Sequence, residues 1–226
     1  MYSVITVERE FGCGGSEISA QLAERLGWTL WDHALTEAIA KLADVDCAAV
    51  EQRQEKVDST FHRLAKVFWR GSYERSVAQT GSDFFDADCM VEMAGQVMQK
   101  AAAAGKCVIV GRGAPYFLRE HPDAFHVFLY APYAEKLRRL RETGSPIAGN
   151  PEELLNTVDR DRIAFVKRYF NADWPTRSLY HLMLNTAVGD EIVIATILDA
   201  MRALERKPTQ ALTGFRSETS HQQSVT

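Results

Sequence analysis

Val4-Ile-Thr-Val-Glu-Arg-Glu-Phe-Gly-Cys-Gly-Gly-Ser-Glu-Ile-Ser19 passes from an apolar stretch through a glycine-rich turn into a segment of helical period. Val4–Val7 has the β-branched content of a strand. From about Ser16 onward, Ile18, Leu22 and Leu26 recur at i, i+4 and i+8, the apolar stripe of an amphipathic helix. Between them stand Gly12, Gly14 and Gly15. Glycine takes positive φ without a Cβ penalty and lets a ligand approach the backbone closely. The amides at a helix start point at an anion, and the helix dipole adds to the attraction. A phosphate is the natural guest, so Gly12, Cys13, Gly14, Gly15, Ser16 and Glu17 form the candidate nucleotide-binding segment. A plain tight turn needs fewer glycines.

Two nucleotide patterns compete for this turn. The dinucleotide fingerprint GxGxxG takes Gly12 and Gly14, but its third glycine falls on Glu17, whose carboxylate repels pyrophosphate. Asp32, at the end of the second apolar run, stands where a ribose-binding acid would. The phosphate-loop pattern GxxxxGK[ST] sets Arg9 at its first glycine and Gly14 at its second. It then sets Gly15 at its lysine and Ser16 at its magnesium-binding hydroxyl. The lysine that reaches the β- and γ-phosphates is missing. The residues satisfy neither pattern in full.

Further along, Trp28–Trp31, Cys107–Val110, Phe125–Tyr130 and Tyr180–Leu184 read as strands separated by helical segments. That alternation predicts an α/β fold with a parallel sheet covered on both faces. Asn150-Pro-Glu-Glu is a helix start, with a capping side chain, a proline at the first position and acids in the first turn. Asp190–Glu205 reads as the closing helix, and the polar residues 207–226 as a disordered tail. Residues 33–106 are too many for one crossover helix. Helical patterns over Ala34–Ala43, Cys47–Val57, Thr60–Trp69 and Asp83–Ala104 predict a helical insertion beside the sheet, which is either a substrate lobe or an enlargement of the core.

Composition bounds the function. Of 226 residues, 46% are hydrophobic and 25% charged, the balance of a globular domain. A net charge of −4 argues against a general nucleic-acid binder. Cys13, Cys47, Cys89 and Cys107 lie far apart without a CxxC pair, which predicts reduced thiols and no zinc site. The first residues lack the pattern of a signal peptide, and no apolar run approaches the roughly 20 residues that span a bilayer. A cytoplasmic location without membrane contact is the expectation.

Ile5-Thr-Val-Glu-Arg-Glu-Phe-Gly-Cys-Gly-Gly-Ser-Glu-Ile with Leu22-Ala-Glu-Arg-Leu-Gly resembles the cytidylate kinase-like family of P-loop nucleoside monophosphate kinases. Val110-Gly-Arg-Gly-Ala, His126-Val-Phe-Leu-Tyr-Ala-Pro, Asp159-Arg-Asp-Arg and Tyr180-His-Leu-Met-Leu-Asn-Thr follow in that family's order. The resemblance implies a three-layer α/β/α P-loop fold over 1–206 with a five-stranded parallel sheet. Its core would be 1–32 and 107–206, with a monophosphate-binding lobe over 33–106 and a basic lid over about 144–172. It also implies transfer of the ATP γ-phosphate to a nucleoside monophosphate such as CMP or dCMP. Nucleotides would be the partners of a monomer or homodimer, and magnesium would arrive with ATP and meet Ser16. Rivals are a nucleotide-binding regulator that lost catalysis with the lysine, a kinase of another small phosphate acceptor, and a dinucleotide-binding protein.

Phosphoryl transfer is mostly positioning and cationic stabilisation, so a loop without its lysine needs charge from elsewhere. Arg9, at the mouth of the turn, is the nearest candidate, unless it is a surface residue paired with Glu8 or Glu10. Arg112 sits between Gly111 and Gly113 directly after the third strand, beyond whose carboxyl end ligands of such sheets bind. Asp32 either orients Arg112 or a ribose hydroxyl, or caps the following helix. The resemblance places Arg112 at the monophosphate, Asp32 near the substrate and the Asn185-Thr186 turn near the adenine. At about 100° per residue from Arg160, Arg162 falls near about 200°, inside the apolar arc of Leu155, Val158, Phe165 and Val166. An inward arginine needs a partner, and Arg162 is read as the lid cation that grips a bound phosphate, ahead of a structural pair with Asp159. Arg138, Arg139 and Arg141 read as solvated face residues.

Overall fold

The computed structural model describes residues 1–32, 34, 35, 38, 87–142 and 150–205. Within them, β1 (Val4–Arg9), β2 (Thr29–Trp31), β3 (Cys107–Val110), β4 (Ala124–Tyr130) and β5 (Leu182–Asn185) form one sheet. The order is β2-β3-β1-β4-β5, and every pair is parallel. The described helices are α1 (Gly15–Leu26), α2 (Ala87–Ala104), α3 (Ala114–Phe117), α4 (Tyr133–Glu142), α5 (Pro151–Phe170) and α6 (Asp190–Glu205).

β1 is central and buried along its whole length. Its side chains alternate between the two faces. Ile5 and Val7 pack with Ile18 and Leu22 of α1 and with Val193, Ile194 and Ile197 of α6. Val4 lies in a second core with Met93, Val97 and Met98 of α2 and with Phe165 and Val166 of α5. The sheet is therefore the middle of three layers. A smaller cluster of Phe11, Leu140, Leu155 and Val158 fastens the glycine turn to α4 and α5.

The expected strand Cys107–Val110 and closing helix Asp190–Glu205 form with those bounds. Asn150 caps α5 by accepting the Glu152 amide at 3.1 Å. The last strand starts at Leu182, later than expected, because Arg177–Leu179 makes a 3-10 turn. That turn draws the Tyr180 amide to the Arg177 carbonyl. Of the expected insertion, α2 is present and packs on the sheet. Residues 34, 35 and 38 are helical, whereas the helices expected over Cys47–Val57 and Thr60–Trp69 lie outside the described residues. So do 143–149 of the lid segment and the tail. No described helix is long and apolar enough to cross a membrane.

The buried side chains of Thr6 and His126 pair with each other inside the sheet. The His126 Nδ1 lies 2.7 Å from the Thr6 hydroxyl, and the His126 amide donates to His181 Nδ1 at 3.0 Å. Burial, helped by the neighbouring His181 and His121, pushes the His126 pKa down to about 3. The unfolded chain, with His126 near its ordinary value, then binds the extra proton first as pH falls. Stability owed to neutral His126 is thus complete above about pH 6.5 and is lost at up to about 1.4 kcal/mol per pH unit towards pH 3. Urea midpoints measured across that window are expected to fall more steeply for the wild type than for His126→Gln.

Candidate active site

The glycine turn sits at the carboxyl edge of the sheet and opens directly into α1. Gly12 and Gly14 have φ of +76° and +79°. A side chain at Gly14 would begin 2.0 Å from Nη1 of Arg139. The turn therefore needs glycine both for its backbone and for its closest neighbour. The Thr186 hydroxyl donates to the Cys13 carbonyl at 2.7 Å, tying the turn to the end of β5.

Arg9 is the last residue of β1 and continues the α1-facing row of Ile5 and Val7. It is 4% exposed, so the surface reading fails. Glu8 and Glu10 are engaged elsewhere. Glu8 accepts the Gly113 amide at 3.0 Å and the Trp174 indole N–H at 3.1 Å. Glu10 takes Lys136 Nζ at 2.9 Å. Arg9 Nη2 instead donates to the Ser16 hydroxyl at 3.3 Å and lies 4.0 Å from Asp32 Oδ1.

Arg112 follows β3 in the left-handed region, with φ +57° between Gly111 at +70° and Gly113 at +73°. A run of positive φ containing a non-glycine residue is uncommon and costs local energy. Glu8 holds this turn through the Gly113 amide, and Arg112 Nη1 donates to the Asp32 carbonyl at 2.9 Å. Asp32 thus orients Arg112 through its main chain, while its carboxylate faces Arg9. Asp32 Oδ1 is buried without a hydrogen-bond partner. The ends of β1, β2 and β3 and the start of α1 therefore bring Arg9, Asp32, Arg112 and Ser16 together.

The sequence profile of the cytidylate kinase-like family matches residues 4–188. The chain belongs to the cytidylate kinase-like family. No curated protein sequence matches it significantly. An uncharacterised protein from Eubacterium ventriosum shares 17% identity at a TM-score of 0.60, over 88% of this chain and 98% of its own. A gluconokinase from Sinorhizobium meliloti shares 16% at a TM-score of 0.51, over 89% and 93%. These likenesses show the fold, that of the P-loop kinases, and the family membership supports a phosphotransferase.

In this cytidylate kinase-like protein, the remaining expected residues divide. Cys13 is fully buried, with its thiol directed at the Leu129 carbonyl, so only its backbone faces the turn. Glu17 is exposed on the first turn of α1. Arg162 Nη1 donates to the Arg9 carbonyl at 2.8 Å and to Asp159 Oδ1 at 3.0 Å. The same Asp159 oxygen accepts the Phe11 amide at 2.9 Å. Burial pushes the Asp159 carboxyl up, against the opposing pull of Arg162 and of that amide. Of the two partners open to Arg162, the structure supplies Asp159. We expect Arg162→Met to lose about 2 kcal/mol of stability, because it removes the nearer of the two cations beside a buried carboxylate, Lys136 standing at 3.7 Å, and the donor to the Arg9 carbonyl. Asp159→Asn added to it should cost less than it does alone, as read by urea unfolding. A variant as stable as wild type would return Arg162 to the role of a lid cation.

Arg139 is the residue that sequence reasoning missed. Besides overlying Gly14, it donates from Nε to Glu135 at 2.9 Å. Its Nη2 donates to the Thr186 carbonyl at 3.2 Å and to Asp190 Oδ1 at 3.1 Å. Nothing in Leu137-Arg-Arg-Leu-Arg141 sets it apart from Arg138 and Arg141, which are exposed. Two of its partners, Thr186 just after β5 and Asp190 at the start of α6, lie 47 and 51 residues away, and local pattern is blind to them.

Proposed function

We propose that this protein transfers the γ-phosphoryl group of ATP to a nucleoside monophosphate such as CMP or dCMP. One observation carries the reading: Arg9 and Arg112 flank Asp32 at the sheet edge, beside the glycine turn and Ser16. The turn amides and the start of α1 hold the ATP phosphates. Arg112 grips the acceptor phosphate, for which its two-pronged guanidinium is suited. In the reaction an acceptor oxygen bonds to the γ-phosphorus as the bond from that phosphorus to the β–γ bridging oxygen breaks. The electron pair of the broken bond leaves on ADP. The acceptor is already an anion at neutral pH, so no general base is needed.

A magnesium ion fits these residues. The Ser16 hydroxyl lies at the start of α1, and the unsatisfied Asp32 Oδ1 lies at the same edge. Ser16 keeps lone-pair capacity beyond its bond from Arg9. When bound with ATP, magnesium supplies neutralisation of the β- and γ-phosphate charge. Arg9 and Ser16 then hold the phosphates against the turn, and Arg112 aligns the acceptor. The insertion over 33–106 is the proposed acceptor lobe.

The test is ADP formation from ATP and magnesium with a panel of acceptors. Turnover with CMP or dCMP supports the reading. Turnover with a non-nucleotide phosphate alone moves the acceptor class, and ATP binding without any turnover favours the regulatory alternative.

A further inference from the structure

A phosphate loop carries a cation at its lysine position, where this chain has Gly15, and Arg9 ends the preceding strand. We infer that Arg9 and Gly15 are two halves of one exchange, in which the arginine occupies the lane the loop lysine would need. The inference rests on the phosphotransferase reading and names the group that performs its charge stabilisation.

The steric evidence is direct. A Cβ added at Gly15 would lie 2.9 Å from Arg9 Cβ, 3.0 Å from its Cγ and 3.1 Å from its Cδ. These are the atoms nearest the β1 backbone, and they cannot swing away as a chain end could. Any side chain at position 15 therefore collides with the stem of Arg9. Farther out, a Cβ at Gly111 would fall 2.2 Å from Arg9 Nη1. The arginine thus lies in a slot floored by glycine at both ends, one on α1 and one after β3.

The slot delivers the charge to the right place. Strand alternation sends Arg9 to the α1 face, and its Nη2 reaches the hydroxyl of Ser16, one residue past the lysine position. The GxxxxGK[ST] pattern shows the same exchange in sequence: arginine stands at the first glycine and glycine at the lysine. Both the charge and the free space are kept, with their positions reversed. A guanidinium also stays charged at any working pH and offers a fork to two phosphate oxygens. During transfer the γ-phosphorus loses its bond to the bridging oxygen as the acceptor oxygen bonds to it. Arg9 stabilises the charge that accumulates on the departing ADP oxygens.

A reciprocal substitution tests this. Binding of the imido analogue of ATP with magnesium, turnover, and thermal midpoint are measured for wild type, Arg9→Met, Arg9→Gly, Gly15→Lys and the double variant Arg9→Gly/Gly15→Lys. Arg9→Met keeps the buried stem, so it should stay folded while turnover falls about a hundredfold or more. Gly15→Lys alone should lower the thermal midpoint, since two side chains then claim one lane. The double variant matches GxxxxGKS in full. It should recover the midpoint lost by Gly15→Lys and regain at least about tenfold of the turnover lost by Arg9→Gly. Full analogue affinity and turnover in a folded Arg9→Met protein would overturn the exchange alone. So would a double variant that regains stability but no turnover. A wild type that neither binds the analogue nor turns over removes the phosphotransferase reading, and the exchange with it.

Discussion

Gly14→Val is expected to abolish measurable ATP binding while the protein remains folded. Valine at φ +79° is strained, and its Cβ would displace the Arg139 guanidinium from its seat at 2.0 Å. Arg139 is a flexible chain end and can yield, but in yielding it leaves Thr186 and Asp190. The combined cost is about 2–3 kcal/mol of stability, visible in urea unfolding and short of collapse. The branched side chain then projects over the turn amides, where a phosphate would sit, and calorimetry with ATP should register at least about a hundredfold weaker binding. Unchanged ATP affinity in a folded variant removes the phosphate-loop assignment. Tight NAD binding without ATP binding would restore the dinucleotide reading.

Arg112 should separate activity from stability. Substitution by glycine relieves a left-handed backbone worth about 1–2 kcal/mol, which offsets loss of the bond to the Asp32 carbonyl. Arg112→Gly is therefore expected to unfold within about 1 kcal/mol of wild type. Its kcat/KM for the monophosphate should fall about 10²–10³-fold, or about 2.7–4 kcal/mol of transition-state stabilisation. ATP affinity should change little, because the Arg112 guanidinium is turned to the Asp32 carbonyl at the end of β2. Arg112→Lys should not rescue turnover, since a point charge cannot reproduce two parallel hydrogen bonds. Full turnover in Arg112→Gly would leave the arginine as a tie between β3 and β2 and nothing more.

Local chemistry alone determined a large part of this molecule. Chain alternation between apolar runs and helical stripes implied a parallel α/β sheet, and Cys107–Val110 formed with the bounds its β-branched run suggests. The Asn150 cap and the glycine turn were legible for the same reason, because a cap or a positive φ is satisfied within a few residues. The glycines around Arg112 and those of the turn at Gly12–Gly15 marked two turns, and the structure places both at the carboxyl edge of the sheet. The helical wheel also turned Arg162 inward, where it is found.

Other decisions belonged to the tertiary structure. The wheel could not choose between phosphate and Asp159 as the partner of Arg162, because the third member, the Arg9 carbonyl, arrives from β1. Arg139 was indistinguishable from its neighbours until β5 and α6 came alongside α4. Asp32 acts on Arg112 through a carbonyl, which no side-chain pattern encodes. The coupling of Arg9 to Gly15 and Gly111 needs β1, α1 and β3 in register before any atom is near another. In each case the deciding contact joins segments that only the sheet order brings together, and hydrophobic periodicity reports which way a residue faces but not what stands opposite it.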